Sequence, residues 1–390
     1  MTALHPFVVA AVAVLTLAGC ESLRSWIPTI PAPNFSSWFK STKPGPLPPL
    51  TARAEAPVTW QTSVGRAVPG LTPAVTTNAI YAASTDGSLV RVDPATGRVV
   101  WRVAAGTTLS AGVGADPTVA VVATDKGDVL AFDPDGKALW TVRVTSSVSA
   151  PPAVAEGIAV VYSGDGRAYG LTTADGKTKW VHQKPTPPLI VRNNAGPVIS
   201  RGGVFMGTAG GRLTAVDIGT GAVGWDAGVA TPKGATELER VADVTSTPVI
   251  DDRLVCASAF QGRTGCFELL RGTSAWSRDV ASLAGMTRDA KNLYITDESG
   301  AVQALDKSTG ASVWKQDVLA ARRIGGPVMV GDYVGVVDVE GYLHLLAASD
   351  GAYVGRTATD GSAPSSQPVG MLGGAVWQST GGNLIRVTAR

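Results

Sequence analysis

IYAASTDGSLVRVDPATGRVVW, running from Ile80 to Trp101, is the stretch on which the fold turns. An apolar run of β-formers enters, a polar turn ending at Gly87 reverses it, and an alternating run follows. A second turn at Gly97 leads to a third run that ends in Trp101. LYITDESGAVQALDKSTGASVW, from Leu293 to Trp314, is the same text with small edits. The first-turn glycine recurs as Gly87, Gly127, Gly166, Gly211, Gly262, Gly300, Gly341 and Gly382, at spacings of 38 to 51 residues. Nine or ten residues after each of the first seven comes the second-turn glycine, and Trp101, Trp140, Trp180, Trp225, Trp276 and Trp314 close the units. The seventh copy has Gly355 in that closing slot. With a preceding segment such as Thr72 to Val75 as innermost strand, each unit is a four-stranded antiparallel sheet. A repeated sheet of about 40 residues is the mark of a β-propeller blade.

The eighth copy, from Pro368, reaches Arg390 before any fourth strand, while Val58, Thr59 and Trp60 resemble a last strand with no blade in front. Trp60 precedes Trp101 by 41 residues, one repeat. The expectation is an all-β, eight-bladed propeller of four-stranded antiparallel blades over residues 57–390, closed by its N-terminal strand so that no sheet edge is left open. Ala131, Gly170, Ala215 and Ala304 share one third-strand position, where twisted sheets approach closely.

The first residues follow another rule. Phe7 to Ala18 is an apolar stretch of twelve residues, too short to span a bilayer, and Leu17, Ala18 and Gly19 lead into Cys20. Residues 1–19 read as a lipoprotein signal peptide, although Met1 to Pro6 lacks the usual Lys or Arg, and Cys20 becomes the acylated first residue. Glu21 rather than Asp follows it, which points to the outer membrane, on the periplasmic face. Residues 20–56 are rich in Pro and Ser and read as a lipidated tether.

Cys256 and Cys266 flank the turn of the fifth repeat. A three-residue loop of Phe260, Gln261 and Gly262, with Gly262 left-handed, sets them opposite each other, and an exported location permits a disulfide. With only His182 and His344 beyond the leader, the cysteines cannot build a four-ligand metal cluster. GTGAVG, Gly219 to Gly224, satisfies a dinucleotide pattern but sits on a hairpin with no following helix. Asp93, Asp133, Asp217 and Asp306 share a turn position where carboxylates accept local N–H groups, so they are not paired acid and base. The formal net charge of +2 argues against nucleic acid.

Function is sought where the period breaks. The glycine spacing grows to 45 residues between Gly166 and Gly211 and to 51 between Gly211 and Gly262. Both insertions, about 183–195 and 226–246, follow an outer strand, so antiparallel alternation puts them side by side on the face that carries the first-turn glycines. One holds Leu189, Ile190, Val191 and Arg192; the other runs from Glu237 to Val244 through Asp243. Aliphatic anchors rimmed by opposite charges suit a protein partner better than a small substrate.

At this point the chain resembles the BamB family of outer-membrane protein assembly lipoproteins. The lipobox, the eight repeats and GATELERVADVTSTP, Gly234 to Pro248, carry the resemblance over essentially the whole mature chain. It implies a non-enzymatic scaffold, without cofactor, that docks on the periplasmic domains of the central barrel subunit, BamA, with unfolded outer-membrane proteins as possible clients. In that family the docking loops carry a Leu-x-Leu-Arg and an Asp-Val-Asp string. Leu189, Val191 and Arg192 match the first, Asp243 matches the leading acid of the second, and Thr245 replaces its other acid. The rival from another class is a pyrroloquinoline-quinone dehydrogenase, built from the same kind of Trp-marked blade. It needs calcium-binding carboxylates and a catalytic Asp, and no convergent set of these is legible here. A sugar-binding or cell-wall-binding propeller is a third reading, weakened by long loops without aromatic residues.

Overall fold

In the computed structural model of the chain the described residues are 43–191, 194–236 and 238–390, and Pro44–Arg390 form one compact unit. The signal peptide, Cys20, most of the tether and Arg192 lie outside the described residues. The compact unit contains eight four-stranded antiparallel sheets. The first blade shows the pattern: Ala74–Val75 innermost, then Ile80–Ala83, Ser88–Val92 and Val99–Ala104 outermost. Innermost strands of neighbouring blades lie against one another around the ring, and that of the eighth, Val369–Met371, meets that of the first. The eighth blade takes its outer strand, Val58–Ser63, from the other end of the sequence, paired antiparallel to Asn383–Thr388.

Blades stack face to face, so middle strands are covered on both sides and outer strands on one. Ile80–Ala83 is buried at every residue, whereas Val99–Ala104 alternates. The core is therefore divided among the blade interfaces. Tyr81 and Leu89 of the first blade pack with Val122 and Leu130 of the second, and burying each large side chain stabilises by about 1.5–3 kcal/mol.

The closing tryptophans are fasteners between blades. Each indole lies over the second-turn glycine of the next blade and donates its Nε1–H to a carbonyl there. Trp60 reaches Pro94 O at 3.1 Å, Trp180 reaches Ile218 O at 2.7 Å and Trp276 reaches Lys307 O at 2.8 Å. Trp101, Trp140, Trp225 and Trp314 do the same at Pro134, Thr173, Leu269 and Ala348. Gly221 shows why the receiving residue is glycine: its φ is +72° and a Cβ would sit 2.7 Å from the Trp180 ring. The small third-strand residues have the matching explanation. Ala131, Gly170, Ala215 and Ala304 lie directly across from Trp140, Trp180, Trp225 and Trp314 on the neighbouring strand; at Gly170 a Cβ would sit 2.2 Å from the Trp180 ring, whereas Arg91 and Cys266 hold this place opposite Trp101 and Trp276.

The seventh blade departs from the rule because of ring closure. A tryptophan at position 355 would need a turn between the third and fourth strands of the eighth blade, and those strands come from opposite ends of the sequence. Residues 44–57 run through that place instead. Arg53 N and Ala54 N both donate to Val354 O, Arg390 N donates to Glu55 O, and a Cβ on Gly355 would lie 2.6 Å from Ala54 O. Ala54 and Ala56 are buried in the core between these blades. The sequence-based boundary at residue 57 therefore needs correction, since the packed unit begins at Pro44 and the last part of the Pro-rich stretch is a strap on the seventh blade. Proline-rich backbone, poor in donors, can cover a sheet without extending it.

Cys256 and Cys266 face each other across the fifth blade, Cα atoms 4.0 Å apart, joined by a disulfide. The loop is Phe260, Gln261 and Gly262 as expected, with Ala259 N donating to Arg263 O, but the left-handed residue is Gln261 at φ 47°. Gly262 serves close approach instead, since its Cβ would sit 2.7 Å from the Ala230 Cβ.

Candidate functional site

The insertions after the outer strands Thr178–Gln183 and Val223–Gly228 lie side by side, on the face formed by the first-turn glycines. Their stems are clamped together. Lys184 Nζ stands 2.7 Å from Asp226 Oδ2, and Arg212 Nε bonds Asp226 Oδ1 at 3.2 Å. Burial pulls the Asp226 carboxyl upward, but hydrogen bonds and charge from Lys184 and Arg212 outweigh it and hold the pKa below the usual carboxylate range. The sequence marks both residues as insertion borders and gives no sign of the pairing, because they lie 42 positions apart.

Asp243 is not on the rim, as the charge pattern suggests, but buried at 3 % relative exposure. Its Oδ2 accepts Val191 N at 2.6 Å and its Oδ1 accepts Gly210 N at 2.8 Å. One carboxylate thus pins the first insertion and the first turn of the fourth blade to the second insertion. Val191 is half-buried by this attachment, while Leu189 and Ile190 project at 48 % and 44 % exposure. Arg192, the cation expected beside them, lies outside the described residues. Thr245 is buried, and its Oγ1 donates to Ser282 O at 2.9 Å. A second acid there would be an enclosed charge against a carbonyl, so the threonine suits this chain's packing.

The second insertion folds its own tip. Glu239 Oε2 accepts Ala235 N at 2.8 Å and Thr236 N at 3.0 Å, and Glu239 N donates back to Thr236 Oγ1 at 3.3 Å. This reciprocal capping arrangement consumes the acid that the sequence pattern offers to a partner and lowers its pKa through those N–H bonds. It also lifts Leu238 to 70 % exposure. Leu189, Ile190 and Leu238 are thus aliphatic side chains held out on braced loops.

Other titratable groups are used inside the fold. Asp93, Asp217 and Asp306 accept N–H and hydroxyl bonds from their own turns, and their pKa values are lowered by them. Asp133 accepts Asp135 N and Lys137 N in the same way. In the seventh blade Asp338 accepts from His344 at 2.9 Å and Arg322 at 2.6 Å, all three buried. Burial would raise the Asp338 pKa, but bonds from His344, Tyr342 N and Arg322 prevail and lower it. Arg322 also donates to Gly45 O, which ties this network to the strap. Among the described residues no three His, Cys, Asp or Glu side chains are grouped as metal ligands. The channel mouth on the loop face is lined by hydroxyl, amide and small side chains such as Thr72, Asn194, Ser246 and Gln367.

Comparison with known proteins fits this geometry. A quinohemoprotein alcohol dehydrogenase from Pseudomonas putida superimposes with a TM-score of 0.68, but at 12 % identity over 86 % of this chain and 76 % of that one it shares the fold alone. The crystal structure of BamB from Moraxella catarrhalis superimposes with a TM-score of 0.78 at 26 % identity, covering 86 % of this chain and 100 % of that one. The outer membrane protein assembly factor BamB of Bordetella pertussis is 38 % identical over 377 residues, 96 % of this chain and 95 % of that protein. The family model described as outer membrane protein assembly factor BamB matches residues 85–316 and 300–390, and the chain belongs to that family.

Proposed function

We propose that this chain is a non-enzymatic scaffold of the machinery that assembles outer-membrane proteins, and that it works by docking through its loop face. The observation that carries the reading is the exposure of Leu189 and Ile190 on a segment fixed at Val191 by a buried carboxylate. Such a segment meets a partner without paying for ordering, and its aliphatic side chains supply the apolar centre of an interface. The partner is the periplasmic part of the central barrel subunit, BamA-like, with unfolded outer-membrane proteins as further clients. Arg192 is the cation that this reading assigns to the contact. Asp243 acts from below, holding the loop in shape.

A diacylglyceryl group at Cys20 confines the propeller to the periplasmic face of the outer membrane and raises its effective concentration beside the barrel subunit. Palmitate labelling of wild type and Cys20→Ala tests the anchor; equal labelling would reject it. For docking, Leu189→Ser combined with Arg192→Glu is expected to abolish copurification with the barrel subunit while thermal unfolding stays unchanged. Undiminished recovery would reject the surface.

A further inference from the structure

Beneath the first insertion lies a cavity of about 240 Å³ that opens on the loop face between the third and fourth blades. Ile190, Val191, Ala150, Ala195 and Ala209 give it apolar walls. The hydroxyl residues Ser147, Ser149, Ser163, Thr186 and Thr208 line it as well, and two further polar groups, Asp243 and Tyr162, set its chemistry. Asp243 is among the lining residues, buried, with two backbone N–H bonds and no cation paired with it among the described residues. Tyr162 stands in the wall, and its hydroxyl makes no hydrogen bond among the described residues. Burial, with the charges of Asp243 and Asp165 added, pushes the phenol up to about 12, so it stays a neutral donor and acceptor. Asp165 has its own cation in Arg167 at 2.7 Å, and among the described residues no Lys, Arg or His lines the cavity.

A buried carboxylate without a counter-ion among the described residues, a phenol hydroxyl left open to a ligand and the side chains of Ile190, Val191 and Ala209 together describe the complement of an aliphatic stem with a cationic head. We propose that this cavity is a specificity pocket for a single Lys or Arg side chain of the docked partner, its methylenes against Ile190 and Ala209 and its head between the Tyr162 hydroxyl and Asp243. This rests on the docking reading above and adds to it the chemistry of the group inserted. The exposed leucines supply area, and the pocket supplies the register in which a partner seats, because a partner lacking the cation leaves the carboxylate uncompensated.

The test uses the mature chain and the periplasmic domains of the barrel subunit, with affinity measured by calorimetry. Ala209→Leu fills the cavity and is expected to weaken binding at least tenfold; Tyr162→Phe removes one hydroxyl and is expected to weaken it about fivefold. Each basic residue on the partner is then changed to Met, and one of these changes is expected to be non-additive with Tyr162→Phe and with Ala209→Leu. Leu189→Ser is the control for the docking surface itself. If Leu189→Ser abolishes binding while both pocket variants bind as wild type, the pocket is overturned and the docking surface stands. If Leu189→Ser binds as wild type too, the docking surface falls first. Coupling to an acidic or purely apolar partner residue instead of a basic one overturns the cationic occupant.

Discussion

At the scale of single residues, the two insertions place their candidate site residues in unlike environments. Leu189 is exposed and is the residue proposed to meet a partner, whereas Asp243 is buried and bonds two backbone N–H groups that would otherwise lack partners. Asp243→Ala is therefore expected to cost about 1–3 kcal/mol of stability in denaturant unfolding and to weaken docking as well. Leu189→Ser is expected to weaken docking at no measurable cost in stability. An Asp243→Ala chain that unfolds like wild type would contradict the positioning role. Sequence alone put both residues on two adjacent insertions, because insertions against a strict repeat are visible without coordinates. It could not separate rim from floor, since burial at Asp243 depends on Gly210, a turn residue of the fourth blade that carries no charge signal.

At the scale of elements, the repeat explains itself through its fasteners. Trp276→Phe loses the bond to Lys307 O and shrinks a buried ring, and about 1–3 kcal/mol of stability should go with it in denaturant unfolding. The seventh blade provides the sharper case. Restoring the repeat's residue with Gly355→Trp is expected to destabilise the protein, because Ala54 already occupies the slot; a higher melting temperature would refute the strap's role there. The eight blades, their closing strand and the three-residue loop between Cys256 and Cys266 were legible because period-two alternation, turn glycines and tryptophans recur locally. The strap was not, because prolines announce only that a segment forms neither helix nor central strand. What such a segment rests on is decided by a vacancy elsewhere, here the one left at Gly355.

For the whole molecule, electrostatics predict a one-sided response to pH. At Asp251 burial favours the neutral form, but Lys307 at 2.6 Å and the N–H groups of Arg253 and Leu254 outweigh it and lower the pKa to about 2. Asp226, Asp289 and Asp297 are lowered too, burial again being overcome by their hydrogen bonds. With native values below unfolded ones, the unfolded chain binds more protons in acid, so these groups contribute fully above the unfolded carboxylate range. That contribution is lost as pH falls from about 4 towards 2. Asp251→Asn should flatten this part of the stability profile, and an unchanged slope would exclude Asp251 from it. The same molecule presents two unlike faces, one with the two long braced insertions, the other with short turns such as 251–253, where Leu270 and Leu372 are exposed singly. The first of these is the face proposed to meet the assembly machinery. Photo-crosslinking in whole cells tests this most directly, with the reactive side chain placed at position 189 or, on the opposite face, at position 252. The account predicts adducts with the barrel subunit from position 189 and none from position 252. Adducts from 252 alone would contradict it.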